Sequence, residues 1–251
     1  MVIPTTFKEI IPNYTRAALY DHGLPFSKEL GENLEDIKKR TYDNKRHLPS
    51  MIIIDGMSGL GKTTLAVLLA SYLEGRQIDL KHQKGEGAEN FIRCIDWCIE
   101  NKRKVIIYDE AGDFERKATQ TKANRAINRV FDTYRTFGIV VIVLLPYIGQ
   151  LDNGPFDKGI PRLLIHLTEG KENYTSFAGY SLIGMLWIRH HLQNMVRKYP
   201  IKQRAYDRTN PNFYGHFKKP PEWLQAQIDK SSDKGKLSEI HKAMKTINEV
   251  E

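Results

Sequence analysis

Apolar residues fall along this chain in short continuous runs separated by stretches of helical period, and that alternation predicts the fold before any motif is considered. Met51 to Asp55, Val105 to Asp109 and Ile139 to Leu145 are runs of the kind seen in strands covered on both faces. Between the first two, Leu65, Leu68, Leu69, Tyr72 and Leu73 recur at helical spacing over Lys62 to Glu74, and Gly75 supplies a stop. A further strand is expected at Gln77 to Leu80, then a polar, glycine-containing loop over Lys81 to Asn90 and a helix over Phe91 to Glu100. Residues 111 to 122 read as loop, and Ala123, Ile127, Val130, Phe131 and Tyr134 trace one helix face ending near Gly138.

The pattern is looser on either side of this block. Leu30, Leu34 and Ile37 predict a helix in the first 49 residues, ahead of a basic, turn-rich stretch from Lys38 to Pro49. Arg162 to Leu167 reads as a strand, Tyr174 to Tyr180 as its partner, and Ile183 to Tyr199 as a helix. From Ser231 onward the tail is charged and expected to be only partly ordered. The expected architecture is α/β: a mostly parallel sheet flanked by helices over 50–182, a helical extension over 1–49, and a basic appendage over 183–251. Repeats and low-complexity tracts are absent from the sequence.

Composition adds a bias toward acidic partners. A chain of 251 residues with 41% hydrophobic and 27% charged residues belongs with ordinary globular proteins, but its formal charge of +8 attracts polyanions, of which nucleic acid is the commonest. The two cysteines, Cys94 and Cys98, have no second pair to complete a four-ligand metal site, so buried reduced thiols in a cytoplasmic setting are expected. No apolar run approaches the ~20 residues that span a bilayer.

Candidate chemistry sits at the ends of two of the apolar runs. Gly56-Met57-Ser58-Gly59-Leu60-Gly61-Lys62-Thr63 follows a strand, opens a helix and fits the P-loop pattern GxxxxGK[ST] at every fixed position. Glycines let the backbone N–H groups turn inward around phosphate, and the helix N-terminus adds favourable partial charge. Lys62 is expected to reach the β- and γ-phosphates, Thr63 to ligate Mg²⁺, and Thr64 to complete the binding segment. Asp109 closes the second run, where a P-loop protein holds its metal, and Glu110 beside it can orient a water for attack on the γ-phosphate. Asp109 to Gly112 also satisfies the DxxG pattern of GTPases. The strand Ile139 to Leu145 is followed by Pro-Tyr-Ile-Gly-Gln-Leu-Asp with no NKxD motif, so ATP is favoured.

The order P-loop, Asp-Glu strand, basic helix, Arg135-Thr-Phe-Gly138 and apolar strand resembles the additional-strand ATPases of the HerA/FtsK kind over residues 50 to 170. These include DNA translocases, conjugative coupling ATPases, viral packaging ATPases and Zot-like phage proteins. The resemblance implies that the strand after the acidic pair lies between the P-loop strand and the acidic strand. It also implies a homo-oligomer, with rings among its members, that pumps DNA, and an Arg135 that stabilises transition-state charge in its own or a neighbouring subunit. One departure stands out: members often end the next strand with a polar sensor, whereas this one ends Leu144-Leu145-Pro146, with Gln150 the nearest glutamine.

Two segments could meet a polyanion. Residues 116 to 135 carry Arg116, Lys117, Lys122, Arg125, Arg129 and Arg135 against Asp132 alone. Residues 185 to 219 carry eight Lys or Arg against Asp207, interspersed with Trp187, Tyr199, Tyr206, Phe213, Tyr214 and Phe217. His190 and His191 read as surface or packing residues. The expected function is a Mg-ATP-hydrolysing motor that translocates or packages DNA. A P-loop phosphotransferase and a nucleotide-dependent assembly scaffold remain open beside it.

Overall fold

The computed structural model describes residues 7–43, 48–109, 137–170, 174–195 and 203–233. Its centre is a seven-stranded sheet of β1 (Ser50–Asp55), β2 (Lys84–Glu86), β3 (Val105–Asp109), β4 (Val140–Leu145), β5 (Pro161–Thr168), β6 (Tyr174–Tyr180) and β7 (Phe213–Lys218), in the order β2-β3-β4-β1-β5-β6-β7. The first five strands of that order are parallel, and β6 and β7 extend the sheet antiparallel. β4 is thus inserted between β1 and β3, as the resemblance implies.

Strand alternation divides the apolar runs between two faces. Ile52, Ile54, Val105, Ile107, Val140, Ile142 and Leu144 join one core cluster, and Met51, Ile53, Ile106, Tyr108, Val141, Val143 and Leu145 join another. The first face is covered by α3 (Lys62–Glu74) and, outside it, by the N-terminal extension. There α1 (Phe7–Ile10) and α2 (Lys28–Lys38) bury Phe7, Leu30, Leu34 and Ile37, and the Phe26 and Tyr72 rings meet edge to face at 5.6 Å. The second face is covered by α4 (Gly87–Glu100), the short α5 (Gly154–Asp157), α6 (Leu182–Met195) and α7 (Gln203–Asp207). A last helix, α8 (222–233), returns to the first face through Leu224 and Ile228. Among the described residues, no helix is long and apolar enough to cross a membrane.

Several boundaries differ from expectation, for identifiable reasons. Gln77 to Leu80 is not a strand, because Asp79 turns the chain there: its carboxylate accepts from the Lys81 N–H at 2.9 Å and meets His82 Nδ1 at 2.7 Å. Pairing with β3 starts only after Gln83, whose carbonyl accepts from the Ile107 N–H at 2.8 Å, so β2 and the first turn of α4 occupy the expected polar loop. Segment 213–218, drawn above in the basic appendage, pairs with β6 as β7. Tyr206 and Phe217, two of the aromatics interspersed in the second basic segment, are buried and serve the core. Cys94 and Cys98 are buried free thiols against the sheet; burial pushes Cys94 up to about 11 and Cys98 higher still. The expected helix 123–134, the loop 111–122, the residues beyond 195 in the expected helix Ile183 to Tyr199, and tail residues 234–251 lie outside the described residues, although α8 takes in Ser231.

Candidate phosphate-binding site

The turn from β1 into α3 forms the floor of a cavity of about 670 Å³. Gly56 has φ +137°, and a Cβ there would lie 2.8 Å from the Leu167 carbonyl oxygen, so only glycine fits between the strand end and β5. Gly61 precedes α3 at φ +85°, against the Phe217 ring of β7. Gly56, Met57 and Leu60 shape the turn itself, while Ser58, Gly59, Gly61, Lys62, Thr63 and Thr64 line the cavity. The unpaired N–H groups of the first turn of a 13-residue helix therefore open toward it.

Lys62 folds back over the turn, donating from Nζ to the Gly56 carbonyl at 2.7 Å and the Met57 carbonyl at 2.9 Å. Burial lowers its pKa, opposed by the charges of Asp109 and Asp55. Thr63 Oγ1 donates to Asp109 Oδ2 at 3.2 Å, which brings together the two residues assigned to the metal. A hydroxyl and a carboxylate beside a glycine cradle and an ammonium fit a phosphate-bound hard cation such as Mg²⁺. Glu110 and Arg135 lie outside the described residues.

The opposite wall comes from the far end of the chain. Gln225, Ile228, Asp229 and Ser232 of α8 line the cavity, and Thr64 Oγ1 donates to Gln225 Oε1 at 3.3 Å. Gln150 lines it too, on a 3₁₀ turn (Ile148–Gln150) that follows β4, and its Oε1 is buried with no hydrogen-bond partner among the described residues. Gln150, the glutamine nearest to the end of β4 in sequence, thus faces the same cavity as the glycine turn.

Two features of the site have no local signature. Lys84 and Glu86 of β2 stand beside Asp109: Lys84 Nζ is 3.2 Å from Asp109 Oδ2 and pairs with Glu86. Beneath the turn, Asp55 is fully buried. His166 Nδ1 is 2.7 Å from its Oδ1, and its Oδ2 accepts from the Ile148 N–H at 2.8 Å and from the Tyr206 hydroxyl. The His166 and Tyr206 rings stack at 3.7 Å. Burial and the Asp55 charge raise the Tyr206 pKa well above its ordinary value, so the phenol remains a donor. Only the occurrence of Asp55 before the glycines could have hinted at this network.

The second basic segment is partly consumed by the fold. Arg189 is buried and donates to the Ile148 and Leu151 carbonyls and to Asn153, and Lys218 donates to the Ala17 and Leu19 carbonyls. Arg204, Arg208, Lys219 and Tyr214 are exposed, and Trp187 is exposed beside His190 and His191, with ring centroids at 6.0 Å. Arg197, Lys198, Tyr199, Lys202 and the whole 116–135 segment except its known sequence lie outside the described residues.

A five-strand parallel block with a glycine cradle between β1 and α3 defines a P-loop NTPase fold. No protein-family model matches the chain, and no curated protein matches it in sequence. Among solved structures, it is similar to the N-terminal domain of zonular occludens toxin from Neisseria meningitidis, at 16% identity and a TM-score of 0.38 over 65% of this chain and 100% of that one. It is also similar to C. elegans PCH-2 (14%, 0.38, 67% and 46%) and to the replication initiator DnaA bound to AMPPCP and single-stranded DNA (13%, 0.36, 87% and 65%). This chain therefore spans less than two thirds of the latter two.

Proposed function

We propose that this chain is an ATPase that binds Mg-ATP in the cavity above α3 and uses hydrolysis to move DNA, working as a homo-oligomer of the HerA/FtsK kind. The observation that supports the reading is the Thr63–Asp109 hydrogen bond in the cavity of the glycine cradle, a hydroxyl and a carboxylate of the kind that suit a metal, in the same cavity as Lys62. Lys62 and the first-turn N–H groups of α3 bind and orient the phosphates, and Thr63 and Asp109 hold the cation. Bound Mg²⁺ supplies charge neutralisation on the phosphate oxygens. Glu110 is the base that orients water, Arg135 adds positive charge from its own or a neighbouring subunit, and Gln150 reports on the phosphate end. Support for the polymer comes from the net charge of +8 and the exposed Arg204, Arg208 and Lys219.

The test is binding of a fluorescent ATP analogue with Mg²⁺, followed by phosphate release with and without double-stranded DNA, single-stranded DNA and RNA across salt. Glu110→Gln is expected to keep binding and lose most turnover. Turnover unaffected by every polymer ends the motor reading, and phosphate transfer to a small acceptor points to a phosphotransferase instead.

A further inference from the structure

The acidic side of the cavity carries its own cation. In the parallel register of β2 and β3, Glu86 lies directly beside Asp109, and both line the cavity with Thr63. Lys84, two residues before Glu86, has its side chain 2% exposed and its ammonium on both carboxylates, 3.2 Å from Asp109 Oδ2. The strand that bears it is clamped, since a Cβ on Gly85 would lie 2.8 Å from Phe91 Cα at the start of α4. Lys84 therefore reaches the acids from a fixed origin inside the protein.

Two carboxylates and a hydroxyl on neighbouring elements are the beginnings of an oxygen site for a hard divalent cation. With Lys84 in place, one of the two negative charges is cancelled at contact distance, and an arriving dication meets a positive charge in a poorly solvated pocket. Among the described residues, no group of three or more His, Cys, Asp or Glu could hold a metal by itself. We propose that Lys84 is a resident counter-ion that keeps Asp109 and Glu86 from collecting a divalent cation unaided, so that metal enters only with the phosphates of a nucleotide. The inference rests on the reading of Asp109 as the metal-side carboxylate. Lys84 is a positioning residue in this scheme: it touches the acids and sets the order of binding.

The probe is Mn²⁺, followed by electron paramagnetic resonance on the full chain without nucleotide. The wild-type chain leaves Mn²⁺ free. Lys84→Met, which keeps length and removes charge, gains one site at least about tenfold tighter than any in the wild type. Lys84→Arg restores the wild-type behaviour, and Lys84→Met combined with Glu86→Gln loses the gained site, whereas a lysine serving only stability would lower the melting temperature without creating a metal site. Wild-type uptake of stoichiometric Mn²⁺ without nucleotide overturns the proposal whether or not the variants fold. Failure of the wild-type chain to bind labelled ATP with Mg²⁺ overturns the nucleotide reading and this inference with it. Normal ATP binding with unchanged Mn²⁺ affinity in Lys84→Met overturns this inference alone.

Discussion

Replacing Tyr206 by Phe removes a single oxygen from beneath the phosphate turn, and the structure says what that oxygen is worth. Tyr206 is 3% exposed and its hydroxyl donates to Asp55 Oδ2, a carboxylate with no solvent contact. In the variant the ring still stacks on His166, so little cavity term arises. The carboxylate keeps the Ile148 N–H and His166 Nδ1, so it is weakened rather than abandoned. The loss is that of one hydrogen bond to a buried charged group, about 1.5–3 kcal/mol. His166→Ala, which removes a donor and a stacked ring together, should lose about 3–5 kcal/mol because a buried charge is left short of partners. In urea unfolding, Tyr206→Phe should lower the midpoint by about 1 M at unchanged slope. A shift under about 0.2 M would mean that the hydroxyl does not bind the carboxylate, and the network as described would fall.

Other consequences are as direct. Gly56→Ala forces a side chain into a left-handed conformation against the Leu167 carbonyl, so it should lose about 2 kcal/mol or more and weaken labelled-ATP binding; a neutral substitution would contradict the packing. Phe217→Ala deletes a buried ring that braces Gly61; about 3–5 kcal/mol of stability should go, with nucleotide affinity falling beside it in a binding titration. Neither thiol should react with Ellman's reagent in the native protein at pH 8, and both should react in denaturant. The folded Cys94 pKa stands raised from 9.0 to about 11, so its contribution is complete below pH 9 and is lost as pH rises through that interval. Denaturation midpoints of Cys94→Ala and wild type should converge there.

The legible parts are those whose physics is local. β1, β3 and β4 carry continuous apolar runs because both faces of each are covered, and the cradle occupies consecutive positions from Gly56 to Thr63. Their assembly with Asp109 follows from parallel strands ending at one edge of the sheet. β2 escapes such reading because Lys84-Gly85-Glu86 has no apolar pattern; tertiary pairing with β3 makes it a strand. The partners of Asp55 lie 93, 111 and 151 residues away, and no spacing rule reaches that far. β7 is similar: Phe217 turns inward to the cradle while Tyr214 stays outside, a distinction composition cannot draw.

The wall formed by β7 and α8 has a bearing on biosynthesis. Thr64 meets Gln225 across 161 positions, and Gly61 rests on Phe217, so a ribosome delivers the floor of the pocket long before its side. A nascent chain that has reached β5 carries the whole glycine motif yet cannot close it. On the reading proposed above, stabilisation of the folded form by bound nucleotide follows the emergence of α8, whose residues complete the cavity wall. Until then the half-built sheet depends on its own apolar faces.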